Sequence, residues 1–257
     1  MHLFSYWAGP LGWMERLSVA SIRDVGHLLT VYSHQPAALA GMGCAVQDAR
    51  EIFHGRTAAG LKGYLPQTYS NLFRLEGIAV GAGTWIDLDM VLLKPLPTAP
   101  YLFGWEGETA VCNSVLSLPT KSAVLTEYRG MLHSDPAMLS APSRSWHQKV
   151  NRRIKAISRP LRGKAAPLPD SGPLLLTYLL GKHGLLPHAQ PRSVFYPVPP
   201  VEQVMSRLHV PGVLESFLAP DTVGIHLWRH LYRKLNGPGQ PRAGWLANRL
   251  EQMCALA

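Results

Sequence analysis

Apolar residues in this chain fall into short blocks separated by glycine, proline and small polar residues, and the spacing within each block changes along the sequence. Leu3 to Tyr6 predicts a short strand, closed by the turn-forming Gly9-Pro10 and Gly12. Leu17, Val19, Ala20 and Ile22 recur at helical spacing and predict a helix from Glu15 to Val25, stopping at Gly26-His27. The continuous run Leu28 to Tyr32 is rich in β-formers and fits a buried strand. Strand, helix, strand is the start of a parallel α/β unit. A short third strand at Cys44-Ala45-Val46 and a helical piece from Asp48 to Phe53 follow. Leu72, Phe73, Leu75, Ile78 and Ala79 mark a helix from Gln67 to Val80 that ends at Gly81-Ala82-Gly83. Tyr101 to Trp105 and Val111 to Leu118 read as two further strands joined by a solvated acidic turn, Glu106-Gly107-Glu108. Helices are predicted over Lys121 to Leu132, over Leu174 to Leu180 behind Pro173, and over the C-terminal Trp245 to Met253; strands over Val194 to Val198 and Thr222 to Trp228. The fold class is α/β, with a mostly parallel central sheet flanked by helices.

One block does not fit a purely structural role. In Gly83-Thr84-Trp85-Ile86-Asp87-Leu88-Asp89-Met90-Val91-Leu92, two carboxylates stand among residues apolar enough for a core, and Pro95 and Pro97 close the segment. Buried aspartates without partners are costly. Alternation along an extended segment puts Asp87 and Asp89 on one face, where a hard divalent cation would balance them; magnesium or manganese suits oxygen ligands better than zinc. A turn with two solvated aspartates is the plain alternative. In a doubly wound sheet ligands collect at the carboxyl ends of strands, where this segment is expected to lie.

The 257 residues are 47% hydrophobic, enough for one sizeable core. Three cysteines, Cys44, Cys112 and Cys254, show neither a CxxC nor a Cys/His spacing, which argues against a disulfide framework and a zinc site and fits a reducing compartment. The first residues lack a basic leader followed by a long apolar run, and no stretch approaches the roughly 20 apolar residues of a membrane span, so a soluble or peripheral protein is expected, cytoplasmic or at the inner membrane face. The net charge of +9 is local. Eight basic residues lie between Arg144 and Lys164 with no acid from Asp135 to Asp170; without them, 17 of the 25 basic residues remain against 16 acidic ones. Such a segment suits nucleic acid, anionic lipid or a phosphorylated substrate, or is simply a solvated loop.

Several short matches occur together and in order: Tyr6-Trp7-Ala8-Gly9, Ser70-Asn71-Leu72-Phe73-Arg74, Gly83 to Asp89, Asn113, Ser171-Gly172-Pro173 and Ile225-His226-Leu227-Trp228. The set resembles the Asp-x-Asp sugar transferases that include the α1,4-galactosyl- and N-acetylglucosaminyltransferases and the initiating yeast-type α1,6-mannosyltransferases. It is more distantly similar to the clostridial glucosylating toxins. The resemblance implies a glycosyltransferase-A fold, a UDP-sugar donor, a manganese or magnesium ion and transfer with retained anomeric configuration. It implies that Asp87, Asp89 and His226 hold the metal, and that Asp87, Asp89, Arg74 and Asn113 serve catalysis. Tyr6, Trp7, Ser70, Asn71, Arg74 and Trp228 would bind the donor, Trp7 against the uracil ring and Trp228 beside the leaving diphosphate. The family usually has aspartate where Asn71 stands, gripping hydroxyls of the donor sugar; asparagine keeps the acceptor oxygen and loses the charge. Asn113 is either a hydrogen-bonded core amide or faces the sugar, and Asp170 either faces the acceptor or caps the helix after it.

The resemblance divides one domain into a nucleotide-sugar part (1–98), an acceptor part (99–222) that contains the basic segment, and a C-terminal part (223–257) that returns His226 to the site. Its implied partners are the donor and a glycan or lipid-linked saccharide acceptor of bacterial surface polysaccharide synthesis, with peripheral contact to an anionic inner membrane face and no nucleic acid. A basic nucleic-acid- or anionic-lipid-binding protein and a catalytically silent relative are the alternatives.

Overall fold

The computed structural model describes residues 1–53, 66–134 and 172–254. Six strands form the central sheet: β1 (His2–Tyr6), β2 (Leu28–Ser33), β3 (Ala45–Asp48), β4 (Thr84–Ile86), β6 (Leu102–Trp105) and β7 (Val111–Ser117), in the order β3-β2-β1-β4-β7-β6. Pairs β1/β2, β1/β4 and β2/β3 are parallel, and β7 alone runs against its neighbours. From β1 the chain builds outwards to β2 and β3 and then returns to lay β4 on the other side of β1. This reversal opens a crevice at the carboxyl ends of β1 and β4, where ligands bind in such sheets.

Strand alternation builds two cores. Phe4, Trp85, Phe103 and Leu116 face α2 (Pro66–Ala79), α3 (Ala123–Ser134) and α4 (Pro173–Lys182), while Leu3, Ile86, Leu102 and Val115 face the side that carries Val19 and Ile22 of α1 (Trp13–Asp24). Gly77 lets α2 lie close on the sheet, since a Cβ there would come within 2.2 Å of the Phe4 ring. Gly83, at φ +127°, similarly brings β4 in beside β1, with His2 O 2.5 Å from where a Cβ would be.

A second sheet departs from the sequence reading. The segment after the aspartates forms β5 (Met90–Leu92), which pairs antiparallel with β8 (Gly224–His226) in a separate two-stranded ribbon, with Met90 opposite His226. The strand around His226 is therefore found, but outside the central sheet. Its apolar residues pack with Trp13, Met14 and Leu17 of α1 and with the C-terminal elements α6 (Glu202–Met205), α7 (Arg229–Asn236) and α8 (Gly244–Cys254). Val194 to Val198, expected as a strand, instead contains the short helix α5 (Arg192–Phe195). Pro191 and Pro197 flank it and offer no N–H to a ladder, and Arg192 turns back on the carbonyls of Tyr196 and Pro197. Burial of this apolar run is satisfied by the helix, a choice periodicity alone does not make at this length. The piece after β3 is a single 3-10 turn, Ala49–Glu51. The basic segment Arg144 to Lys164, together with Asp170 and Ser171, lies outside the described residues.

Candidate metal and nucleotide site

Asp87, Asp89 and His226 converge: one ligand atom from each lies within 4.8 Å of the others. Strand alternation is not the cause. Asp87 directly follows β4, with its N–H on Ser114 O, and Leu88-Asp89 form a tight turn closed by Met90 N–H on Asp87 O. The turn swings Asp89 back towards Asp87 and starts β5, whose pairing with β8 delivers His226; Leu227 N–H donates to Asp89 O.

Each carboxylate has its own set of partners. Asp87 Oδ1 receives the Trp85 indole N–H at 2.7 Å and Arg74 Nη2 at 2.8 Å, and its Oδ2 makes no hydrogen bond among the described residues. The Arg74 guanidinium lies over the Trp85 ring, 4.6 Å from its centre, and its Nη1 donates to Asn71 Oδ1 at 3.0 Å. Asn113 Nδ2 donates to the same Asn71 oxygen at 3.2 Å. An aspartate at position 71 would set another carboxylate beside this pair, whereas asparagine supplies the acceptor without the charge. Ser70 is half-buried next to it in α2.

Asp89 belongs to the C-terminal segment. Its Oδ1 lies 3.2 Å from His226 Nε2 and its Oδ2 accepts the backbone N–H of Arg229 at 2.9 Å. Burial by itself would raise the Asp89 carboxyl, but the charge of His226 and these hydrogen bonds bring it below its ordinary value. Burial would lower the His226 imidazole, and Asp89, with Asp87 and Glu106 behind it, raises it instead. Alternation along β7 sends Asn113 to Asn71 and sends Cys112 and Ser114 to the other face, where Ser114 Oγ lies 3.3 Å from His226 Nε2 and 3.2 Å from Cys112 Sγ. Asn113 is thus a buried, hydrogen-bonded amide that also adjoins the site. Glu106 is half-buried rather than solvated: burial raises its carboxyl, partly offset by Cys112 and His226, while Glu108 stays exposed.

The aromatic residues take different stations. Tyr6 packs on Tyr69 and Phe73, with ring centres 4.8 and 5.0 Å away. It lines a cavity of about 300 Å³ with Gly9, Ser33, His34, Gln35 and Leu39, at the carboxyl ends of β1 and β2. Trp7 is half-buried beside it, its indole N–H on Gly9 O at 3.0 Å and Arg229 over its ring. The Trp228 ring lies tilted by 50° against His226, with ring centres 4.1 Å apart, and its indole N–H donates to Val198 O. Trp228 is the one described non-glycine residue at positive φ, with φ 49° and ψ 53°. A left-handed bulky residue costs on the order of 1–3 kcal/mol and persists where its surroundings fix it.

Two carboxylates and an imidazole form an oxygen-rich, hard donor set suited to manganese or magnesium. Asp87 Oδ2 makes no hydrogen bond among the described residues and His226 turns its Nε2 toward Asp89, so the residues present fit such an ion. Three contributors escaped the sequence reading: Trp85 as a donor to Asp87, Ser114 and Arg229. Arg229 directly follows Trp228, and Trp85 stands two residues before Asp87, which are the signals the chain offered.

No protein-family model matches the chain, and no curated protein does either. Among solved structures the chain is similar to one named PaToxG Glycosyltransferase, at 12% sequence identity and a TM-score of 0.45, covering 100% of this chain and 86% of that one. A likeness of that size decides neither family nor activity. Among the described residues no helix is long and apolar enough to cross a membrane.

Proposed function

We propose that this chain is a metal-dependent glycosyltransferase of the glycosyltransferase-A kind, moving a hexose or N-acetylhexosamine from a UDP-sugar to a glycan or lipid-linked acceptor with retention of configuration. The observation that carries this reading is the convergence of Asp87, Asp89 and His226 in the crevice where the sheet reverses direction. When bound, a divalent cation supplies Lewis-acid stabilisation of the negative charge that builds on a departing nucleoside diphosphate.

The chain's own residues set the rest. Trp85 and Arg74 hold Asp87 Oδ1 and leave its other oxygen open, and His226 and the Arg229 backbone fix Asp89. Arg74, Asn71 and Asn113 form one hydrogen-bonded row beside Asp87, placed to meet the donor sugar. The cavity beside Tyr6 and Trp7 is the seat for the nucleobase. The acceptor side falls to residues 99–222 with the basic segment, and the setting is the cytoplasmic face of a membrane that carries surface-polysaccharide synthesis. The rival reading, a nucleic-acid or anionic-lipid binder, draws on the basic segment alone and leaves the three ligands without a task.

Incubation with UDP-glucose, UDP-galactose and their N-acetyl forms plus manganese should release UDP slowly without acceptor, and chelation should stop it. Absence of both UDP release and calorimetric binding of any of these donors would overturn the proposal.

A further inference from the structure

We propose that Arg229 is the cation that grips the diphosphate of the donor, an assignment that rests on the nucleotide-sugar reading above and adds to it a residue outside the matched motifs. Its place is the first argument. The guanidinium Cζ lies 4.8 Å from the centre of the Trp7 ring, on the loop proposed to receive the base, while the backbone N–H of the same residue binds Asp89 Oδ2 at 2.9 Å. A nucleoside diphosphate must cross from base to metal, so its phosphates pass beside this residue.

Its setting is the second. Arg229 Nε lies 2.6 Å from Glu15 Oε1, an ion pair whose N–H is not aligned as a hydrogen bond. The Glu15 side chain is 2% exposed and its other oxygen caps Gly12 N–H at 2.6 Å. The guanidinium is thus oriented in advance by a fixed carboxylate and an aromatic face, which lowers the entropy lost on capturing a ligand. The left-handed Trp228 turns the chain from β8 into α7 at this point and places Arg229 there.

Availability is the third. Arg74 is 4% exposed and engaged with Asp87 and Asn71, whereas the Arg229 side chain is 32% exposed and its two Nη groups make no hydrogen bond among the described residues. A planar fork of free N–H donors matches phosphate oxygens better than an ammonium does.

Calorimetry with manganese and either UDP or UMP tests this. Wild type should prefer UDP, and Arg229→Gln should lose about 10- to 100-fold in UDP affinity, the range for a charge-assisted hydrogen bond, with UMP binding within about twofold. Arg229→Lys should lower the UDP-to-UMP ratio by a smaller factor, and it decides the matter if the glutamine variant does not fold. An unchanged ratio, or a parallel loss of UDP, UMP and manganese binding as from a purely structural bolt, overturns the assignment. Failure of wild type to bind UDP, GDP or ADP with manganese would overturn the donor reading with it; normal wild-type binding alongside unaltered variants would overturn the Arg229 assignment alone.

Discussion

Helix α2 contributes to two clusters of acid, arginine and histidine, each around at least one buried charged group, and only one of them is finished. Glu76 is 6% exposed and reaches α3. Arg129 binds both of its oxygens at 2.9 and 2.7 Å, and His133 adds a contact at 2.9 Å. Burial works to raise its carboxyl, but Arg129 and His133 bring it below the ordinary value. Two residues earlier, about 200° around the helix, Arg74 points to the other cluster. There two carboxylates meet one arginine and one histidine, and among the described residues Asp87 Oδ2 is uncapped and the buried Arg74 Nε and His226 Nδ1 have no partners. Burial and charge are common to both clusters. What separates a structural ion cluster from a site is the unfilled valence, because unsatisfied buried polar groups are tolerated where a ligand completes them.

The sharpest way to break this contrast is Asp89→Asn. It should cut UDP release by about 10³-fold, the scale for losing one preorganised electrostatic contributor, and abolish the rise in melting temperature that manganese gives wild type. Its stability without metal should also fall, though by less than its activity, because the ionised Asp89 pairs with His226 and holds the Arg229 N–H, which keeps its carboxyl below the ordinary value. Glu76→Gln should do the reverse: about 1–2 kcal/mol of stability lost with its charged hydrogen bonds, since Arg129 and His133 are partly exposed and water takes up their charge, with manganese affinity unchanged. Urea denaturation and metal titration read the two variants on one scale. A Glu76 variant that loses metal binding, or an Asp89 variant that keeps it, would erase the distinction.

Trp85→Phe removes one donor from Asp87 and keeps an aromatic face under Arg74, so manganese affinity should fall about tenfold, as for other partners of metal ligands. The smallest effect concerns pH. Glu76 has a depressed pKa in the folded state, so its contribution is present above the ordinary 4.5 and lost as pH falls through the lower folded value. His226 has a raised one, so in metal-free protein its contribution is present below 6.5 and lost as pH rises through the higher folded value. Stability profiles of Glu76→Gln and His226→Gln should each flatten only in their own window; one shared window for both would show that the clusters are not independent.

Much of this was legible in the chain. The strands of the parallel unit, the three principal helices behind the sheet and the candidate ligands follow from period and from carboxylates set among apolar neighbours. The run Val194 to Val198 folds otherwise than its pattern predicts because so short an apolar block satisfies a strand or a helix equally, and the choice lies with flanking prolines and Arg192. Glu106 was read as solvated because composition reports only that a turn is acidic.

By itself the sequence determined that an α/β sheet would form and that Asp87 and Asp89 would need compensation, since period and desolvation act locally. Only the tertiary structure decided that a turn, not strand alternation, joins the two aspartates, that β8 leaves the main sheet to bring His226 across 137 residues, and that Arg229 stands between Trp7 and Asp89. Those contacts join elements far apart in the chain, and their geometry is set by packing, which no local spacing encodes.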